Sequence, residues 1–220
     1  MVAWSHSVLD SFETCAHRHN LTKITKVVKE GQSAEMAEGN RVHKAMEMRV
    51  KKHAPLPGDL QKYEPIAASL LRAAEGGVIH AEQQMALTAG FAPTGWFGKD
   101  VWVRGITDVT ILKGTTAFVG DYKTGKPKEG SSQLKLTAAI TMHREPQVTK
   151  VVNSFIWLKT GGVTKEVYTR DDLSSIWQDF IPRVQRLDIA IQEQKFPKKP
   201  SGLCARWCPV PRHLCEHSGA

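Results

Sequence analysis

The chain of 220 residues is 41% hydrophobic and 24% charged, enough apolar content for a buried core, which excludes a disordered or fibrous protein. No apolar run reaches the roughly eighteen residues of a membrane helix, and Met-Val-Ala-Trp-Ser-His-Ser at the start lacks the basic-then-apolar order of a secretory signal. The net charge of +8 is concentrated in residues 21–52 and 195–220, while 53–194 is nearly balanced, a distribution that suits a polyanion such as nucleic acid.

These features lead us to expect one soluble, cytoplasmic domain over residues 1–220, with its core at about 33–194. Ser5 or Ser7 caps a first helix that places Val8, Leu9, Phe12 and Cys15 on one face. A second helix is predicted from about Ser33 to Lys52, with Met36, Gly39, Val42, Met46 and Val50 on its inner stripe, broken by Ala54-Pro-Leu-Pro-Gly58. Pro65 opens a short helix through Leu70 and Ala74.

Strands follow at Val78–Leu87, Val101–Leu112 and Thr116–Tyr122, the last two joined by a tight turn at Lys113-Gly114. Ser131 or Ser132 caps a helix over Leu134–Met142. Val148–Leu158 reads as a buried strand that turns at Thr160-Gly161-Gly162 into Val163–Tyr168. A long amphipathic helix opens at Asp171 or Asp172 and is expected to kink or split at Pro182. Strand and helix alternate only in part, so the fold class is α/β with a mixed sheet flanked by helices.

The densest chemistry lies in Gly105-Ile-Thr-Asp108 and Gly120-Asp-Tyr-Lys-Thr-Gly-Lys126. Strand alternation puts Asp121 and Lys123 on one face with Tyr122 opposite. In a hairpin, Asp108 can lie beside that pair. Two carboxylates and a lysine at strand ends suit a hard divalent cation, Mg²⁺ or Mn²⁺, and phosphodiester chemistry. On the second helix His43 shares a face with Gly39 and Glu47.

Taken together, these residues resemble the PD-(D/E)XK nuclease superfamily, specifically its RecB-like branch, which includes CRISPR-adaptation nucleases and phage exonucleases. The resemblance rests on Gly39-Asn-Arg-Val-His43, Gly105-Ile-Thr-Asp108, Asp121-Tyr-Lys-Thr-Gly125 and Gln133-Leu-Lys-Leu136, in that order. It implies a restriction-endonuclease-like core and an Mg²⁺- or Mn²⁺-dependent exonuclease acting on linear DNA, single- or double-stranded, in recombination, repair or phage DNA processing. It also implies metal ligation by His43, Asp108, Asp121 and the Tyr122 carbonyl, with Lys123 catalytic and Gln133 shaping the site. Glu82 is a second-tier carboxylate. Thr137 stands where many relatives carry a tyrosine. Lys44, Lys126 and Lys128 are candidate backbone contacts to DNA.

The four cysteines are Cys15, Cys204, Cys208 and Cys215, and clustered thiols in a reducing compartment argue for metal before disulfides. Spacing leaves zinc and iron–sulfur both open, with His17, His19, His213 and His217 near enough in sequence for a mixed zinc site. The resemblance points to a [4Fe–4S] cluster, as in RecB-like nucleases with one N-terminal and three C-terminal cysteines, which staples about 5–20 to about 200–217. The spacings here, three and six intervening residues, are each one longer than the common two and five. No Gly-x-x-x-x-Gly-Lys-Ser/Thr loop is present, so ATP-driven unwinding would need a helicase or recombination partner. A homo-oligomer is compatible with the reading. The competing reading is a binding module that keeps the fold without hydrolysis, or a nuclease subunit active only inside a larger complex.

Overall fold

The structure, a computed structural model, describes residues 2–127 and 131–219. In chain order its main elements are β1 (Trp4–Ser5), α1 (His6–Thr14), α2 (Ala16–His19), α3 (Ala34–Lys52), α4 (Glu64–Ala73), β2 (Val78–Leu87), β3 (Pro93–Thr94), β4 (Val103–Lys113) and β5 (Thr116–Lys123). After these come α5 (Ser132–Arg144), β6 (Lys150–Trp157), β7 (Gly162–Thr169), α6 (Leu173–Gln192) and α7 (Cys204–Trp207). The chain divides into two compact units, Ala34–Trp177 and Met1–Ser33 with Gln178–Ala220. Among the described residues no helix is long and apolar enough to cross a membrane.

The unit Ala34–Trp177 is built on a mixed sheet with strand order β3-β2-β4-β5-β6-β7. All its pairings are antiparallel except β5 with β6, whose parallel alignment requires the crossover that α5 supplies. The β4–β5 turn falls at Gly114-Thr115, one residue beyond Lys113-Gly114, and carries Gly114 at φ +58, where a side chain would be strained. Each face of the sheet has its own core. Val42, Met46 and Val50 of α3 pack with Leu60, Tyr63, Val109, Ile111 and Tyr122 on one side. On the other, Ala138 and Met142 of α5 pack on Ala117, Val119, Val148 and Val151.

Sequence patterning located the longer elements to within a few residues, whereas β1, α2, β3 and α7, each of two to four residues, are not among the expected elements. The inner stripe of α3 begins only at Val42, since Met36 is 58% exposed in the first turn. Gly120 is tightly packed inside the sheet: a Cβ there would lie 2.8 Å from Val109 Cγ1 and 2.9 Å from Ile156 Cδ1. Helix α6 runs through Pro182 without splitting, which leaves the kink as the remaining form of the expectation. Pro182 lies on the exposed side of the helix, where its ring meets solvent and not the packed core.

In the other unit, Ser5 caps α1 by accepting from Val8 N–H at 3.3 Å, and Leu9 is buried. Trp4 stacks on Phe180 with ring centroids 5.7 Å apart, and Arg183 makes a two-pronged pair with Glu13 at 2.8 and 2.7 Å. The tail after α6 has little regular structure. It is held by a small cluster of Leu21, Val28, Val210 and Cys215 and by Lys199 donating to the Glu13 carbonyl at 2.7 Å.

The end of α5 depends on one side chain. Arg170 donates to the carbonyls of Val148 (2.9 Å), Met142 (2.7 Å), Pro146 (2.7 Å) and Glu145 (3.3 Å). It gathers the helix C-terminus and the approach to β6 around one planar cation. Arg170→Ala is expected to lower stability by about 2–3 kcal/mol, and Arg170→Lys to recover only part, because an ammonium cannot fork across four acceptors. Chemical denaturation of the three proteins measures this.

Candidate active site

Strands β4 and β5 pair only between Val109↔Gly120 and Lys113↔Thr116, and beyond Val109 they diverge while β5 continues along β6. Asp108 occupies the fork. Its Oδ2 accepts the Tyr122 N–H at 2.5 Å, in place of the strand partner that β5 has lost. A residue's N–H and C=O leave a strand on the same side, so the Tyr122 carbonyl also faces the fork. Asp108 Oδ1 accepts from His43 Nδ1 at 3.2 Å, and Tyr122 meets the His43 ring edge-on at 5.8 Å. An ionised carboxylate only accepts, so in this pairing Nδ1 carries the proton.

Glu82 lies opposite Asp108, on β2. The β2–β4 ladder runs from Ala81↔Val109 directly to Gln83↔Thr107, skipping this one pair, and Glu82 has φ +51. That left-handed backbone is an outlier for a glutamate inside a strand. Strand alternation also flips here, since the hydroxyls of Thr107 and Thr110, three residues apart, meet at 2.8 Å. The two acids thus escape the regular pleat. One ligand atom from each of His43, Glu82 and Asp108 comes within 4.8 Å of the others, a set compatible with a metal ion.

Asp121, Lys123 and Gln133 form a second, adjoining set. Gln133 Nε2 donates to Asp121 Oδ1 at 2.5 Å, and Lys123 Nζ donates to Gln133 Oε1 at 3.2 Å. Lys123 Nζ also lies 2.7 Å from Asp121 Oδ2 as an ion pair without hydrogen-bond alignment, and 4.8 Å from the centre of the Phe155 ring. Gln133 is held at the start of α5, where its backbone N–H bonds the Ser131 hydroxyl.

The charges are crowded. Burial and the fields of Asp108 and Glu47 raise the Glu82 carboxyl, and burial together with Asp108 raises Asp121. Burial opposes protonation of His43, but its bond to Asp108 and the nearby carboxylates raise it overall. A cation among these acids would relieve that repulsion.

The sequence-predicted His43, Asp108, Asp121, Tyr122, Lys123 and Gln133 therefore gather in one unit. Glu82, ranked below them, stands at the centre. Its backbone strain leaves no mark in composition; the available signal is an acid inside a strand opposite Asp108. Thr137 is buried, with its hydroxyl bonded to the Gln133 carbonyl at 3.0 Å and accepting from Asn153 at 2.7 Å, so this position packs α5 on β6. Lys44 is exposed and pairs with Glu47 at 2.6 Å, Lys126 is exposed after β5, and Lys128 lies outside the described residues.

The cysteines belong to the other unit. All four are free, and all four line one cavity there together with His17, Lys198, Lys199 and His217. Ser201 N–H donates to Cys204 Sγ at 3.3 Å, and His17 Nε2 lies 3.0 Å from the Leu214 carbonyl.

The PD-(D/E)XK nuclease superfamily profile matches residues 3–216. The chain belongs to this superfamily. Its mixed sheet flanked by helices agrees with the restriction-endonuclease-like architecture of that group. Among solved structures, the chain is similar to SSO0001, with 13% identity over 94% of this chain and 83% of that one, at a TM-score of 0.41. A candidate exonuclease from Eubacterium rectale is 12% identical over 94% of this chain and 93% of that one, at a TM-score of 0.49. No curated protein matches.

The strain at Glu82 gives a direct test. Glu82→Gly is expected to stabilise the metal-free protein by about 1 kcal/mol, because glycine accepts the positive φ and one like charge is gone. The same change is expected to shrink the rise in melting temperature that Mn²⁺ gives the unaltered protein. Thermal melts with and without Mn²⁺ check both.

Proposed function

We propose that this protein is a divalent-metal-dependent DNA nuclease that hydrolyses phosphodiester bonds from DNA ends, in recombination, repair or phage DNA processing. The observation that carries the proposal is the strand fork, where His43, Glu82 and Asp108 adjoin Asp121, Lys123 and Gln133. In this reading His43, Glu82, Asp108, Asp121 and the Tyr122 carbonyl hold Mg²⁺ or Mn²⁺. The ion would supply Lewis acidity toward the phosphate and lower the pKa of a bound water.

The remaining work falls to the chain itself. Lys123 presents its ammonium beside Asp121, where it orients the attacking water or offsets charge building on the phosphate. Gln133 bridges Asp121 and Lys123, and so fixes the spacing between acid and amine. Asp108 ties His43 to the β5 backbone, which keeps the ring aimed as Tyr122 walls it in. The basic stretches 21–52 and 195–220 supply attraction to the DNA backbone.

The four cysteines are proposed to hold a [4Fe–4S] cluster. Their convergence on one cavity supports this, as do the N–H donated to Cys204 Sγ and the cations Lys198 and Lys199, which offset thiolate charge. The tail has few other means of holding its shape, and a cluster would staple it.

Lys123→Ala and Asp121→Ala are each expected to reduce cleavage of end-labelled linear DNA by about 10²–10⁴-fold at unchanged melting temperature. Linear substrates are expected to be degraded and circles spared. Unimpaired cutting by either variant would remove the proposed site, and tight binding without any hydrolysis by the unaltered protein would favour a binding module. For the cluster, anaerobically purified protein is expected to be brown with about four iron atoms per chain. Stoichiometric zinc without iron would contradict the assignment.

A further inference from the structure

The loop between β3 and β4 carries Trp96 and Phe97 in succession. Phe97 is 86% exposed, the most exposed large hydrophobic side chain among the described residues. A ring held in water forgoes burial worth much more than an ordinary surface contact.

This loop is also closed on itself. Gly98 N–H donates to the Gly95 carbonyl at 2.8 Å, and Thr94 Oγ1 donates to Asp100 Oδ1 at 2.8 Å. A Cβ at Gly98 would lie 2.6 Å from Thr94 Oγ1 and 2.9 Å from Asp100 Oδ1. The turn is therefore tight enough to need glycine, and it projects Phe97 outward from a built base.

Trp96 is covered by the Arg104 guanidinium at 5.4 Å. Arg104 Nε is buried without a hydrogen-bond partner, and among the described residues no acid pairs with Arg104 or Lys99. Arg104 thus stands over Trp96 without an acidic partner, and the exposed Phe97 and Lys99 follow in the same loop.

That surface leads to the candidate active site. Gly105 faces Ile140 of α5, so strand alternation puts Arg104 and Ile106 on the opposite face of β4, and the strand then runs on to Asp108 at the fork. Ile106, 43% exposed, stands between the cation and the acid. Four residues of strand span about 13 Å, close to two nucleotide steps of an extended strand.

We propose that Phe97, Trp96 and Arg104 form a base-stacking platform for single-stranded DNA, engaging the substrate about two nucleotides from the phosphate at Asp108. This rests on the nuclease reading of the Asp108 site and extends it to a strand preference. Exposed ring faces select unpaired bases, because duplex bases already cover their own faces by stacking. Arg104 and Lys99 supply the charge that an unpaired phosphate chain requires.

The test is binding of a fluorescein-labelled oligo-dT and of a blunt duplex in EDTA, which separates binding from cleavage. Phe97→Ala and Arg104→Met are each expected to raise Kd for oligo-dT about tenfold, with less than a twofold change for the duplex and an unchanged melting temperature. Tryptophan emission is expected to be quenched by oligo-dT, and part of that quenching to vanish in Trp96→Phe. Unchanged Kd in both variants, or equal losses on both substrates, would overturn the platform. If the unaltered protein cuts DNA while the variants bind normally, only the platform falls. If oligo-dT binding depends on Phe97 and no DNA is ever cut, the nuclease reading falls and the platform stands.

Discussion

The candidate site depends on one carboxylate that replaces a missing strand. Where β4 and β5 part, the Tyr122 N–H would be an orphaned donor, and Asp108 satisfies it with one oxygen while holding His43 with the other. Burying that charge is costly unless its lone pairs are used. Here they are used by a backbone group of the next strand and a ring from α3, so the acid organises both. The price is local strain, concentrated at Glu82 directly across the ladder.

The electrostatics follow from this arrangement. Besides burial, the field of Asp108 raises both Glu82 and Asp121, while His43 opposes the shift at both and Lys123 opposes it at Asp121. Gln133 lets Asp121 and Lys123 stay close without neutralising the rest, because its amide donates to one and accepts from the other. Buried like charges destabilise a fold, and their retention in a fork of fixed geometry is the pattern expected of a site that receives a cation.

Most of this was legible in the sequence, for physical reasons. Periodicity and capping locate α1, α4, α5 and the strands, since Ser5, Ser131 and Pro65 act through local geometry that sequence encodes. The motif residues gather because the β4–β5 turn brings β5 back beside β4 and alternation puts Asp121 and Lys123 on one face of β5. What escaped is tertiary. Met36 lies beyond the part of α3 that packs on the sheet. Glu82 owes its position to a skipped ladder pair that no propensity reports. Phe97 and Arg104 look like ordinary loop and strand residues until the turn at Gly98 is seen to close.

The central claim is that the β4–β5 fork is a divalent-cation site. Anomalous diffraction from crystals soaked in Mn²⁺ addresses it without reference to activity. The account predicts a peak bounded by His43, Glu82 and Asp108, at bond lengths of about 2.0–2.3 Å, that disappears in Asp108→Asn crystals. A fork that stays empty at saturating Mn²⁺, or an ion bound only elsewhere, would contradict it.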